Sequence, residues 1–254
     1  MILHTKIYGE GTPLIILHGL LGSLDNWQSI AKYWGQRFQV ITMDARNHGR
    51  SIHIDTFSYT IMMQDVIDTM NHLQIAKAIF VGHSMGGKTA MYLALHHPER
   101  ILKLAVIDIA PIDYEAHHED VFKALHAVPI EHIQERKEAE QIIAQYVAEN
   151  DVIQFLMKGL YRKEDNSFAW RFNVKDLYNS YDNILSFETT SLSYSGDVIF
   201  IKGSKSKYIQ TKDEVRIQTY FPNAQIESIE DAGHWVHAEK PKEFLQIMDL
   251  FLAS

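Results

Sequence analysis

The segment Gly82-His83-Ser84-Met85-Gly86-Gly87 constrains this chain more than any other. It follows the apolar run Ala78 to Val81 and precedes a helical stretch from Lys88 to Leu95. A G-x-S-x-G pentapeptide between a strand and a helix is the signature of a nucleophile elbow. The spacing has a steric reason. The serine takes a strained backbone conformation at a sharp turn, and a side chain at 82 or 86 would collide with its neighbours across that turn. The helix that follows starts with free N–H groups, so the Met85 amide can donate to a developing oxyanion.

The rest of the chain supplies the scaffold such an elbow needs. Leu14 to Leu17, Val40 to Met43, Leu102 to Ile109 and Val198 to Lys202 are short continuous apolar runs, as expected of strands buried on both faces of a parallel sheet. Helical patterns separate them. Tyr59, Met62, Met63, Val66, Ile67, Met70 and Leu73 recur at spacings of three and four, with Gln64, Asp65 and Asp68 on the opposite face. This alternation predicts an α/β fold, with a mostly parallel sheet and helices on both faces. Chemistry is then expected at the carboxyl ends of the strands.

One stretch interrupts the alternation. Residues 111–189 offer no convincing parallel strand. Glu131 to Glu149 reads as a charged helix, Tyr161 to Phe172 as a short hairpin and Asp176 to Leu185 as another helix. We therefore expect an α/β core over 1–110 and 190–254, with a mainly helical cap inserted at 111–189. Whether Phe155, Tyr161, Phe168, Trp170, Tyr178 and Tyr181 line a pocket or form the cap's own core is left open by the sequence.

Composition narrows the chemistry. The 254 residues include no cysteine, which rules out thiol catalysis, disulfides and thiolate metal sites. The net charge is −8 with Lys and Arg scattered, so the basic face that a nucleic acid requires is missing. No run approaches the roughly 20 apolar residues of a membrane span. Met1 to Pro13 shows no leader pattern, and a cytoplasmic location is expected. His117-His118-Glu119-Asp120 has adjacent histidines without helical pairing, so no metal site is expected there. No cofactor is expected either.

A serine nucleophile needs a base, and fourteen histidines compete for the role. His234, in Asp231-Ala232-Gly233-His234-Trp235, follows a strand-like run from Ala224 to Ile229 and comes late in the chain, as the order Ser…Asp…His requires. His237 is its nearest rival and is expected to face the final helix. His18 and His83 read as structural hydrogen bonders. His96, His97, His117, His118, His126 and His132 read as solvated helix residues. The loop after Val198 to Lys202, where the acid usually lies, reads Gly203-Ser204-Lys205-Ser206-Lys207-Tyr208-Ile209 and holds no carboxylate. Asp108, by contrast, sits among apolar residues and needs a donor or a charge to meet it. The Nδ1–H of His234 would serve, and Ser206 is then placed to donate to Asp108 or His234. His18-Gly19-Leu20-Leu21-Gly22-Ser23 turns after its strand so that the Leu20 N–H faces the same point as that of Met85, a two-donor oxyanion hole.

These residues resemble the α/β-hydrolase superfamily and, within it, the bacterial YbfF-type esterases. The likeness also rests on Asp44-Ala45-Arg46-Asn47-His48-Gly49-Arg50-Ser51, Asp108-Ile109-Ala110-Pro111 and Gly233-His234-Trp235-Val236-His237-Ala238-Glu239-Lys240-Pro241. The resemblance implies Ser84, Asp108, Ser206 and His234 as the working set. It also implies hydrolysis of acyl esters and acyl thioesters, with a helical cap shaping the pocket. The Asp44 to His48 loop reads as a scaffold around the elbow. Two other readings stand beside this one. The same triad could cleave a C–C bond or perform the elimination of menaquinone synthesis, although Lys88 departs from the arginine of elimination enzymes. The chain could also be a non-catalytic ligand-binding protein of this fold.

Overall fold

The computed structural model describes residues 1–253. The chain runs β1 (Thr5–Tyr8), β2 (Pro13–Leu17), α1 (Gln28–Trp34), β3 (Gln39–Met43), α2 (Tyr59–His72), β4 (Ala78–His83), α3 (Met85–His96) and β5 (Ile101–Ile107). Next come α4 (Glu119–Ala127), α5 (Arg136–Ile143), α6 (Asn150–Lys158), a hairpin of β6 (Leu160–Arg162) and β7 (Phe168–Trp170), α7 (Val174–Asn179) and α8 (Tyr181–Leu185). The chain ends with β8 (Val198–Gly203), α9 (Thr211–Tyr220), β9 (Ala224–Ile229), α10 (Val236–Glu239) and α11 (Pro241–Ala253).

The main sheet has the order β1-β3-β2-β4-β5-β8-β9, parallel except for β1 at one edge. Its strands read as continuous apolar runs because both faces are covered. Leu14 and Ile16 of β2 pack with Trp27, Trp34, Phe244 and Met248 on the side of α1 and α11. Ile15 and Leu17 face the other way, toward Met62, Val66 and Met70 of α2 and Met91 of α3.

Register sets where chemistry can occur. Leu17 lies level with Met43 and Gly82, His83 with Ile107, and Ile107 with Ile201. The residues that follow, from His18-Gly19 and Asp44 to Ser84 and Asp108, therefore leave one edge of the sheet together. The chain steps from β2 outward to β3, then returns to the far side of β2 with β4. A reversal of this kind opens a crevice at the strand ends.

Between β5 and β8 the strands are confined to the β6–β7 hairpin, paired from Leu160↔Trp170 to Arg162↔Phe168. Helices differ from the sequence reading in extent. The pattern over Glu131 to Glu149 yields α5 alone. Glu135 starts it through a capping box with Glu138, and the carbonyls of Ile142 and Ile143 accept tight-turn bonds from Gln145, Tyr146 and Val147 that end it. The burial pattern survives: Ile133, Ala139, Ile143 and Val147 are all buried. The single helix expected over Asp176 to Leu185 is two, broken at Ser180, whose backbone (φ −100°, ψ 9°) leaves the helical region. Phe122, Ile143 and Leu156 from this segment belong to the same apolar cluster as the α2–α3 side of the sheet. No described helix is long and apolar enough to cross a membrane.

The loop after β3 is tied down by charge. Arg46 donates through Nε (2.7 Å) and Nη2 (3.0 Å) to the Asp65 carboxylate on α2, and through Nη1 to the carbonyl of Thr56. Both partners are buried. Removing Arg46 would leave the buried Asp65 carboxylate with the N-terminal ammonium of Met1 (3.0 Å) as its one remaining ion-pair partner among the described residues. Arg46→Ala should therefore lower unfolding stability by about 3 kcal/mol in a urea titration.

Candidate active site

The turn from β4 into α3 carries Ser84 at φ 52°, ψ −119°, a left-handed backbone that costs about 1–3 kcal/mol outside glycine. Two hydrogen bonds hold it: Ser84 N–H donates to Ile107 O (3.0 Å), and Ser84 O accepts from Lys88 N (3.0 Å). The flanking glycines are needed for closeness. A Cβ at Gly82 would lie 2.4 Å from the Gly86 carbonyl oxygen. One at Gly86 would lie 2.4 Å from the carbonyl oxygen of Leu17, so the second collision is with the end of β2 rather than across the turn.

Asp108, one residue beyond β5, is fully buried at φ 50°. Its Oδ1 accepts from Gly203 N (3.1 Å); its Oδ2 accepts from Ser206 Oγ and lies 2.7 Å from His234 Nδ1. An ionised carboxylate only accepts, so this contact assigns the ring proton to Nδ1 and leaves Nε2 with a lone pair. Burial pushes the Asp108 carboxyl above its usual range, and the Ser206 and Gly203 donors work against that rise. Burial also lowers the His234 pKa, with His117 adding to the effect, so the imidazole is neutral at neutral pH.

The His234 loop is held from several sides. His83 Nε2 donates to the His234 carbonyl (2.9 Å), and the Glu239 carboxylate accepts from Gly233 N (2.7 Å) and Trp235 N (3.0 Å). Tyr208 stacks on the imidazole with centroids 3.9 Å apart. His237 instead stacks on Trp27 at 4.1 Å and meets Phe244 of α11, the direction expected of it. Among the described residues no hydrogen bond joins Ser84 Oγ to His234. A serine–imidazole contact of this kind commonly tightens only in the Michaelis complex.

Two amides border the serine. Met85 is the first residue of α3, so its N–H has no carbonyl one helical turn back. In the turn after β2, Leu21 N donates to His48 Nε2 (3.0 Å) and Gly22 N to Gly19 O (3.1 Å). A Cβ on Gly19 would come within 3.2 Å of Ser84 Cβ, which puts the Gly19-Leu20 peptide against Ser84. His18 and His48 brace this turn. His18 Nε2 accepts from Ala45 N, and Asp44 accepts from Leu24 N and Arg50 N.

Ser84, His234, Leu20 and Met85 line one cavity of about 450 Å³. Its walls are largely apolar, with Val152, Phe155 and Leu156 of α6 and Ile184 and Leu185 of α8. Of the six aromatic residues left open by the sequence, Phe155 and Tyr181 line this cavity. Phe168 is buried in the core, Trp170 stacks on Phe172, Tyr161 lies against Arg171 and Tyr178 packs on Phe122 and His126.

Several lining residues were missed by the sequence reading. Lys88 is almost wholly buried, and its Nζ donates to the carbonyls of Leu185 (2.6 Å) and Ser186 (2.8 Å). Burial brings its pKa down to about 7. Its position four residues after Ser84, on the same helix face, could have pointed to it. His117 and His118 precede α4 rather than riding on it, and both reach the cavity. His117 Nε2 meets the Tyr208 hydroxyl at 2.5 Å. No local pattern announces that contact, which spans 91 positions of chain.

Residues 12–241 match the model of the α/β hydrolase fold family. The chain is 40 % identical over 244 residues to the esterase YbfF of Escherichia coli, covering 96 % of this chain and 94 % of the relative. It is 40 % identical over 255 residues to the sn-1-specific diacylglycerol lipase ABHD11 of Mus musculus, covering 96 % and 83 %. A solved structure described as a marine microorganism esterase superimposes with a TM-score of 0.96 at 39 % identity, covering 98 % of this chain and 99 % of the other.

The tautomer can be read directly. Long-range ¹H–¹⁵N spectra at pH 7 should show His234 protonated at Nδ1 alone, and its titration should fall below the ordinary imidazole value of about 6.5. A ring that is doubly protonated at pH 7 would contradict the effect of burial.

Proposed function

This chain belongs to the α/β hydrolase family, and we propose that it is a serine hydrolase that cleaves carboxylic acyl esters through an acyl-enzyme on Ser84. One observation carries the reading: the buried Asp108 carboxylate fixes the imidazole of His234 at a cavity whose floor also holds Ser84. The relatives named esterase and lipase support an ester as the substrate class.

The steps follow from the groups present. Ser84 Oγ attacks the acyl carbonyl carbon while His234 Nε2 takes its proton. The amides of Leu20 and Met85 stabilise the oxyanion, a role in which one donor is typically worth 100–1000-fold in rate. The carbon–oxygen bond to the leaving alcohol breaks, and that oxygen takes the proton from Nε2. Water then attacks the acyl-enzyme, again yielding its proton to His234, and Ser84 regains a proton as the acid departs. Asp108 holds the tautomer and stabilises the imidazolium without itself being protonated. Ser206 donates to the Asp108 carboxylate, which favours its charged form against the effect of burial.

An acyl thioester would follow the same steps with sulfur as the leaving atom. No cofactor or metal takes part in the proposal. Residues 111–189 serve as the cap that shapes the acyl cavity over a core of 1–110 and 190–254. A cytoplasmic location goes with a chain that has no cysteine to use in an oxidising compartment.

A fluorophosphonate probe should label the protein, and Ser84→Ala should abolish labelling. An unlabelled wild-type protein would defeat the hydrolase reading and favour a ligand-binding role. With p-nitrophenyl esters, Asp108→Asn should lower kcat by about 100–10,000-fold because it favours the wrong tautomer. Ser206→Ala removes one hydrogen bond to a charged group, and the expected loss is only about 10–100-fold. Equal losses in the two variants would mean that Asp108 does not orient the base.

A further inference from the structure

The imidazole of His234 carries an aromatic ring on one face. Tyr208, in the loop after β8, stacks on it with centroids 3.9 Å apart and planes 21° apart. The Tyr208 backbone is held on both sides. Its N–H donates to Ser206 Oγ (3.2 Å), the hydroxyl that itself donates to Asp108, and its carbonyl accepts from the Tyr114 hydroxyl (2.5 Å). The ring is thus anchored to the group that holds the imidazole.

The Tyr208 hydroxyl reaches the cap, where the available donors assign each proton. His117 Nδ1 donates to the Glu115 carbonyl (2.7 Å), so in the neutral ring Nε2 accepts. The Tyr181 hydroxyl accepts from His117 N (3.2 Å) and His118 N (3.0 Å), and its own proton goes to His118 Nδ1 (2.7 Å). His118 Nε2 then carries a proton and donates to the Tyr208 oxygen (3.3 Å). One direction is left for the Tyr208 hydroxyl, donation to His117 Nε2 (2.5 Å). Burial raises the pKa of Tyr208, so the phenol is intact at neutral pH.

We propose that Tyr208 is a positioning residue for the base, whose ring face stabilises the imidazolium formed on His234 during acyl transfer, and that His117 of the cap reinforces it by accepting the phenol proton. This role rests on the ester-hydrolase reading. The face of an aromatic ring is negative and attracts a cation, whereas a neutral imidazole gains only packing from it. The stabilisation is therefore larger in the transition state than in the ground state, which is the condition for raising kcat. Donation from the phenol to His117 polarises the ring and strengthens that face. His117 acts as a neutral ring, because a charged one could not accept the phenol proton and would repel the imidazolium. The other titratable groups around the imidazole are Asp108, which holds Nδ1, and His83, His118 and His237, which burial keeps neutral.

An aliphatic trifluoromethyl ketone traps the charged state: Ser84 Oγ bonds to its carbonyl carbon, and the serine proton moves to His234 Nε2. Proton NMR of this adduct should give an imidazolium pKa about one unit lower in Tyr208→Leu than in the wild-type protein, and at most about half a unit lower in Tyr208→Phe. With p-nitrophenyl butyrate, Tyr208→Leu should lower kcat about 10–30-fold with KM little changed, and Tyr208→Phe about threefold. His117→Ala should also cost about threefold, with no further loss in the Tyr208→Phe background. Pentafluorophenylalanine in place of Tyr208 has the shape of phenylalanine but a reversed ring quadrupole, so its kcat should fall with that of Tyr208→Leu. This comparison stands even if Tyr208→Leu fails to fold. Equal imidazolium pKa values in wild-type and Tyr208→Leu, or a pentafluoro variant as active as Tyr208→Phe, overturn the role of the ring face. Additive losses in the cycle overturn that of His117. A wild-type protein that forms no adduct and takes no fluorophosphonate label sinks the hydrolase reading itself, whereas an adduct whose imidazolium ignores Tyr208 sinks this role alone.

Discussion

The arrangement at the strand ends depends on one buried carboxylate. Asp108 is out of contact with solvent and would be costly there unpaired. Its partners come from far along the chain: Gly203 and Ser206 from the end of β8, and His234 from beyond β9. Satisfying this single group therefore ties together the loops that follow β5, β8 and β9. It also gives the imidazole one orientation and one tautomer. A carboxylate placed on the β8 loop would hold the histidine but would not join β5 to the other two loops.

The parallel sheet makes this economy possible. Strands buried on both faces must be apolar throughout, so polar chemistry is pushed to their ends. Level registers from β3 to β9 then gather those ends at one edge. Ser84 stands where β4 has crossed to the far side of β2, so the turn after β2 is its immediate neighbour. Gly19 and Gly86 have no side chains because two strand ends approach within a Cβ's width there.

What could be read in the sequence was whatever local sterics dictate. The elbow needs its glycines within five residues, and the strands need apolar runs, so both were visible. Asp108 stood out because a charge in an apolar run requires an explanation. The loop after β8 stood out because an expected carboxylate was absent. The limits were those of long-range packing. Helix α5 stops at Ile143 although the charged, periodic pattern continues to Glu149, because turn bonds compete with propagation. Tyr208 and His117 meet through the fold alone. The six aromatic residues of 155–181 looked alike by composition, and only their placement separates pocket from core.

Lys88 gives helix α3 a grip on the end of α8, which lines the cavity. Its ammonium is held by the Leu185 and Ser186 carbonyls and lies 4.9 Å from the Tyr114 ring centroid, where the charge meets the aromatic quadrupole. Swinging that segment outward would strip two acceptors from a cation inside an apolar chamber. That cost falls on the protonated form, since burial brings the Lys88 pKa down to about 7. Lys88 lies on the helix that Ser84 caps, so one side chain joins that helix to the segment at Leu185 and Ser186.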